Sequence, residues 1–114
     1  MPYLMIQTNQ SVDAATGKTL LANASKLVAA ELGKPESYVM VALEASVPML
    51  FAGEDGPLAY LELKSIGLPE NKTASLSAAL CSLMEEFVGI DKERVYIEFA
   101  NAPRSMWGWN GDTF

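Results

Sequence analysis

The chain has 114 residues, half of them hydrophobic and 19% charged, with a formal net charge of −6. A chain of this composition excludes disorder; a single folded domain over residues 1–114 is expected, burying about two-thirds of its unfolded surface. The eight Lys and Arg residues are scattered, which argues against nucleic acid and against an anionic membrane surface as partners.

No apolar run reaches the length of a membrane span, and the start Met1-Pro2-Tyr3-Leu4 lacks the basic region and cleavage site of a secretory signal. The expected compartment is the cytoplasm. With no His and a single Cys, the usual zinc sites, a Ser-His-Asp triad, a Cys-His triad and an internal disulfide are all excluded. No metal and no cofactor is expected. Cys81 sits at an apolar helical spacing and reads as a buried structural thiol.

Residues 2–8 read as a first strand, ended by the turn-prone Asn9-Gln10-Ser11. A helix over 16–32 follows, with Leu20, Leu21, Ala24, Leu27 and Val28 on one stripe, Gly33 closing it and Pro35 preventing continuation. Alternation marks a second strand over 38–44, and residues 48–52 are expected to form a short edge strand before a turn at 53–57. The order then repeats: a strand over 58–66, a helix over 73–88, Gly89, and a strand over 94–99. The second helix carries Leu76, Ala79, Leu80, Leu83, Met84 and Phe87 at i, i+3, i+4, i+7, i+8 and i+11, one continuous apolar face.

The fold class is therefore α/β, an α+β two-layer sandwich of duplicated β-α-β units, residues 1–56 and 57–114. Val39, Val41, Leu43, Leu61, Leu63, Val95, Ile97 and Phe99 alternate onto the face that meets both helices. The opposite face is mixed and aromatic, with Tyr60, Glu62, Lys64, Tyr96 and Glu98. It is left solvated or buried against copies of itself, which would also cover the sheet edges.

Few residues here can move a proton. Once Met1 is removed, Pro2 presents a secondary amine, and an α-amine titrates near pH ~8 in the open. An apolar pocket or a nearby cation lowers that value, the direction a general base at neutral pH needs. Lys34, just past a helix, is either a cation at the negative end of the helix dipole or a ligand for a substrate carboxylate. Tyr96 is either core or a pocket donor. Trp107 and Trp109 are either packing anchors or the walls of an aromatic-binding pocket.

Five segments carry more than spacing does. Met1-Pro2-Tyr3-Leu4-Met5-Ile6-Gln7-Thr8-Asn9, Gly33-Lys34-Pro35-Glu36-Ser37-Tyr38-Val39, Ser65-Ile66-Gly67, Asp91-Lys92-Glu93-Arg94-Val95-Tyr96-Ile97 and Gly108-Trp109-Asn110-Gly111-Asp112-Thr113-Phe114 occur in this order. Together they resemble the macrophage migration inhibitory factor and D-dopachrome tautomerase family, over the whole chain and at its spacing. The resemblance implies a homotrimer with three active sites at subunit interfaces. It implies a keto–enol tautomerase acting on a small aromatic 2-oxo acid such as phenylpyruvate, or on a dopachrome. By the same resemblance Pro2 is the base, and Lys34 with the Ile66 backbone holds the substrate carboxylate or polarises its carbonyl. Tyr96 of a neighbouring subunit lines the pocket, and Trp107 and Trp109 wall its aromatic end.

The chain also departs from the family pattern. Leu58 and Leu61 stand where the vertebrate cytokine has a Cys-x-x-Cys pair, so thiol–disulfide activity is not expected. Glu98 replaces an asparagine near the site and adds a negative charge; Trp107 replaces a smaller aliphatic residue and narrows the pocket. The arginines that related dehalogenases use to activate water are not recognisable. The alternative to an enzyme is a cytokine-like signalling or binding protein with an inherited pocket, whose receptor the sequence does not identify.

Overall fold

The computed structural model describes all residues 1–114. Strand β1 (Tyr3–Thr8) leads through helix α1 (Ala14–Leu32) to β2 (Met40–Glu44); β3 (Ala59–Ile66) leads through α2 (Thr73–Val88) to β4 (Val95–Ala102). The sheet order is β2-β1-β3-β4. Each unit pairs its own two strands in parallel, and the units join through the antiparallel β1–β3 pair, with Tyr3 opposite Lys64 and Gln7 opposite Tyr60. No helix is long and apolar enough to cross a membrane.

Alternation in β1 buries Leu4, Ile6 and Thr8 and leaves Tyr3, Met5 and Gln7 on the other face. The buried Thr8 hydroxyl donates to the Leu58 carbonyl at 2.7 Å, so burial leaves it no unmet partner. Leu61 and Leu63 of β3 continue the apolar layer, and Leu20, Ala24, Val28, Leu76, Leu80 and Met84 cover it from the two helices. Leu58 and Leu61 are core residues here. Burying each such large side chain contributes about 1.5–3 kcal/mol, which is why this stripe dictates how α1 and α2 lie.

Helix α1 starts at Ala14 rather than residue 16, because the Asp13 carboxylate accepts from the Thr16 backbone N–H and caps it. Both helices end on a left-handed glycine, Gly33 at φ 61 and Gly89 at φ 69. The second strand begins at Met40, not Tyr38, since Glu36–Tyr38 form a single 3-10 turn after Pro35. The last strand runs three residues beyond Phe99, to Ala102. Cys81 is half-buried rather than buried: it lies about 100° round the helix from Leu80, on the flank of the stripe. Burial raises its thiol pKa, partly offset by Ser77 and Lys92.

The expected edge strand over 48–52 does not form. Phe51 and Glu54 instead exchange both backbone hydrogen bonds at 3.0 Å around Ala52 and Gly53. With φ 54 and 75 at those two residues this is a type I′ turn that folds the segment on itself. Ala52 carries a side chain where one is strained, by about 1–2 kcal/mol, against about 0.5–1 kcal/mol of added backbone entropy for glycine. Ala52→Gly is therefore expected to raise the urea midpoint at unchanged m; a lower midpoint would show the methyl to be packed rather than strained.

A second type I′ turn, Asn110 at φ 53 and Gly111 at φ 77, joins the short strands β5 (Gly108–Trp109) and β6 (Asp112–Thr113). This hairpin swings the C-terminal aromatics back over the start of β1, where the candidate site lies.

Candidate active site

Pro2 precedes β1 and is fully buried; its carbonyl accepts from the Met40 N–H at 3.0 Å, tying it to β2. It lines a cavity of about 440 Å³ with Met1, Tyr38, Met40, Trp107, Trp109 and Phe114 among the other walls. The Trp109 ring stacks on Phe114 at 5.5 Å and meets Tyr38 edge-on at 5.6 Å, with Tyr38 and Phe114 6.4 Å apart. These three rings form one aromatic wall, shaped to take another flat ring. Trp107 stands on the same cavity, and its carbonyl accepts from the Phe114 N–H at 3.2 Å.

The Lys34 ammonium donates to the Ile66 carbonyl at 3.0 Å across 32 residues of chain. It makes no ion pair; the one salt bridge in the chain joins Lys64 and Glu62. Its position bears on the two sequence readings of Lys34. The α1 terminus is served by Lys72, whose ammonium donates to the Glu31 carbonyl at 2.8 Å, while Lys34 turns toward the end of β3. There it lies close enough to the chain start to act on its amine. Burial first, and the Lys34 charge second, hold the terminal ammonium of Met1 below its ordinary pKa.

Pro2, Lys34, Ile66, Trp107 and Trp109 are thus gathered at one end of the sheet. Tyr96 and Glu98 are not. Tyr96 aligns through Tyr60 with Gln7, five residues along β1 from Pro2, about 16 Å at 3.3 Å per residue, and two strands across. Its ring is 67% exposed and packs on Phe51 at 4.8 Å. Glu98 shares its face and accepts from the Tyr60 hydroxyl at 2.7 Å; the same hydroxyl lies 3.1 Å from Glu62, directly opposite Glu98 in the sheet. The Glu98 hydrogen bond, then burial and Glu62, hold the Tyr60 phenol well above its usual pKa. Sequence reasoning did not select Tyr38, Met40 or Phe114 as site residues. The available signal was the Asn110-Gly111 turn, which returns Phe114 to Trp109.

A model of the family described as macrophage migration inhibitory factor matches residues 1–114, the whole chain. The chain belongs to the macrophage migration inhibitory factor family. A Brugia malayi macrophage migration inhibitory factor homolog is 39% identical over 115 residues, covering 100% of this chain and 99% of its own. The crystal structure of the family homologue from Prochlorococcus marinus superposes with a TM-score of 0.94 at 42% identity, over 98% of both chains. A further solved structure, of a protein inactivated by 2-oxo-3-pentynoate, has a TM-score of 0.87 at 27% identity over 97% of this chain and 95% of its own. Membership in the macrophage migration inhibitory factor family brings the tautomerase-superfamily fold, and with it tautomerase-type isomerase and cytokine-like functions in general terms.

Proposed function

We propose that the protein is a cofactor-independent keto–enol tautomerase for phenylpyruvate-like substrates, dopachrome-like ones included, with the Pro2 amine as base after removal of Met1. The observation that carries the reading is the fully buried Pro2 at an aromatic-walled cavity, with Lys34, which has no carboxylate partner, held on the Ile66 carbonyl at the same end of the sheet. The Pro2 nitrogen takes a proton from the carbon next to the 2-oxo group, and a proton is delivered to the carbonyl oxygen. No atom or electron is gained or lost. Lys34 holds the carboxylate and lowers the amine pKa; Trp109, Phe114 and Tyr38 take the ring. Inactivation of a structural relative by 2-oxo-3-pentynoate supports a 2-oxo compound as ligand. The test pairs intact mass with turnover: protein lacking Met1 should tautomerise phenylpyruvate, and protein retaining it, whose Pro2 nitrogen is an amide, should not. Activity equal in both forms would remove Pro2 as the base.

The working unit in this reading is a homotrimer. Met40 and Tyr96 on the open sheet face are 66% and 67% exposed, and β2 and β4 are unpaired edges. A site using both Pro2 and Tyr96 needs two protomers, given their separation in one. Sedimentation should show a trimer; a fully active monomer would discard the shared site. The relatives' name favours a second reading, a cytokine-like binding protein. Absence of turnover in correctly processed trimer would turn the balance toward it.

Glu98 tests how the neighbouring protomer's face meets the pocket. If Tyr96 lines the site, the Glu98 charge repels a substrate carboxylate and stabilises protonated Pro2. Glu98→Asn should then lower KM and shift the rising limb of the kcat/KM pH profile downward, each by less than about tenfold or one unit after screening. Superimposable profiles would place Glu98 away from the pocket, engaged only with Tyr60.

A further inference from the structure

Arg94 stands just before β4 and is half-buried, yet no carboxylate meets its guanidinium. All its partners are backbone carbonyls of a single turn: Nε donates to Pro57 at 2.8 Å, Nη2 to Glu54 at 3.1 Å and Gly56 at 3.2 Å, and Nη1 to Phe51 at 3.4 Å. The planar fork matches four carbonyls that converge on one side, an arrangement a lysine ammonium does not reproduce. Asn9 grips the same turn from the end of β1, donating to Asp55 at 2.9 Å and Gly56 at 3.1 Å.

The turn so held contains the strained Ala52 and begins with Phe51, where three contacts meet. Its carbonyl takes a hydrogen bond from Arg94, its ring lies 5.4 Å from the guanidinium carbon, and the same ring packs on Tyr96 at 4.8 Å and 51°. Arg94 ends the 3-10 turn Lys92–Arg94 that leads into β4, Tyr96 is the second residue of that strand, and both side chains reach the Phe51 ring. Phe51 thus links Arg94 to the exposed ring of Tyr96.

We propose that Arg94 is a positioning residue: by clamping the 51–57 turn it holds Phe51 against Tyr96 and sets the angle at which Tyr96 enters a neighbouring protomer's pocket. This rests on the trimeric site above. Its consequence falls on substrate affinity, since Tyr96 walls the pocket while the proton moves at Pro2. A staple that served stability alone would lower the unfolding midpoint and leave KM where it was.

The experiment uses processed, full-length protein with Arg94→Met, Arg94→Lys, Phe51→Ala, Arg94→Met/Phe51→Ala and Tyr96→Ala, each checked for wild-type sedimentation. Arg94→Met is expected to raise KM for phenylpyruvate about tenfold with kcat within about twofold, and Arg94→Lys to recover only part of it. The double variant should be no worse than the worse single one, because both act through one ring. Independently of turnover, Tyr96 ring resonances, shifted by the neighbouring Phe51 ring, should move in Arg94→Met toward their positions in Phe51→Ala. An Arg94→Met protein whose Tyr96 resonances and KM match the wild type overturns the proposal. Unchanged KM in Tyr96→Ala, with the Tyr96 resonances still responding to Arg94→Met, instead overturns the shared site and with it the effect of Arg94 on affinity, leaving the clamp itself standing.

Discussion

Pro2→Gly is expected to lower kcat/KM for phenylpyruvate by about 10²–10⁴-fold, the usual loss when a general base is removed or misplaced. The side chain is fully buried, and its carbonyl is fixed to the Met40 N–H at 3.0 Å, so the ring holds the nitrogen at one place on the cavity. Glycine keeps an amine but removes the ring that fixes its direction, and it admits water where the pyrrolidine packed. Both changes act on the proton transfer: water beside the nitrogen favours its ammonium form, and the freed nitrogen samples unproductive orientations. Some residual rate is expected from the remaining primary amine. The comparison requires matched sedimentation and circular dichroism, since Pro2 also packs. An unchanged kcat/KM in a folded variant would mean that another group takes the proton.

How far this site was legible in the sequence depended on how local its determinants are. Helix α2 is found at its observed bounds, because Leu76, Leu80, Leu83 and Met84 make the 3.6-residue period unmistakable within sixteen residues. The faces of β1, β3 and β4 follow from alternation for the same reason. The edge strand predicted over 48–52 does not form: Pro48, Met49, Leu50 and Phe51 are apolar in a row without pairing as a strand, while the turn there is held by Arg94 from just before β4. Hydrophobicity cannot report a guanidinium forty residues away.

The candidate site shows the same division. Pro2, Lys34, Trp107 and Trp109 were selectable from residue type and from resemblance, but the Lys34–Ile66 contact and the Tyr38–Trp109–Phe114 wall are products of tertiary structure. The strand predicted over 38–44 includes Tyr38, but the observed strand begins only at Met40. Tyr38 instead closes the 3-10 turn after Pro35, and its ring lies on the cavity wall against Trp109. Tyr96 and Glu98 share a face as alternation predicts, and within one protomer that face lies far from Pro2.

Lys34→Met should raise KM for phenylpyruvate by about 10- to 100-fold, because a hydrogen bond to a charged group contributes about 1.5–3 kcal/mol. Methionine keeps most of the stem and its packing while removing the donor and the charge. In the free protein the ammonium holds only the Ile66 carbonyl at 3.0 Å, a neutral partner that leaves its charge uncompensated for an arriving carboxylate. The pH profile supplies a second, independent readout. A cation near the terminal amine disfavours its protonated form, as at the Met1 ammonium, where Lys34 adds to the lowering that burial begins. Removing the cation favours the ammonium form, so the rising limb of kcat/KM, which reports the base in the free enzyme, must move to higher pH. At neutral pH the free-base population then falls, and the rate falls with it. Lys34→Arg retains the charge and should leave the limb in place while altering KM through geometry. A cation serving only the end of α1 would give the opposite pattern: a small loss of stability in Lys34→Met, with KM and the pH profile both unmoved.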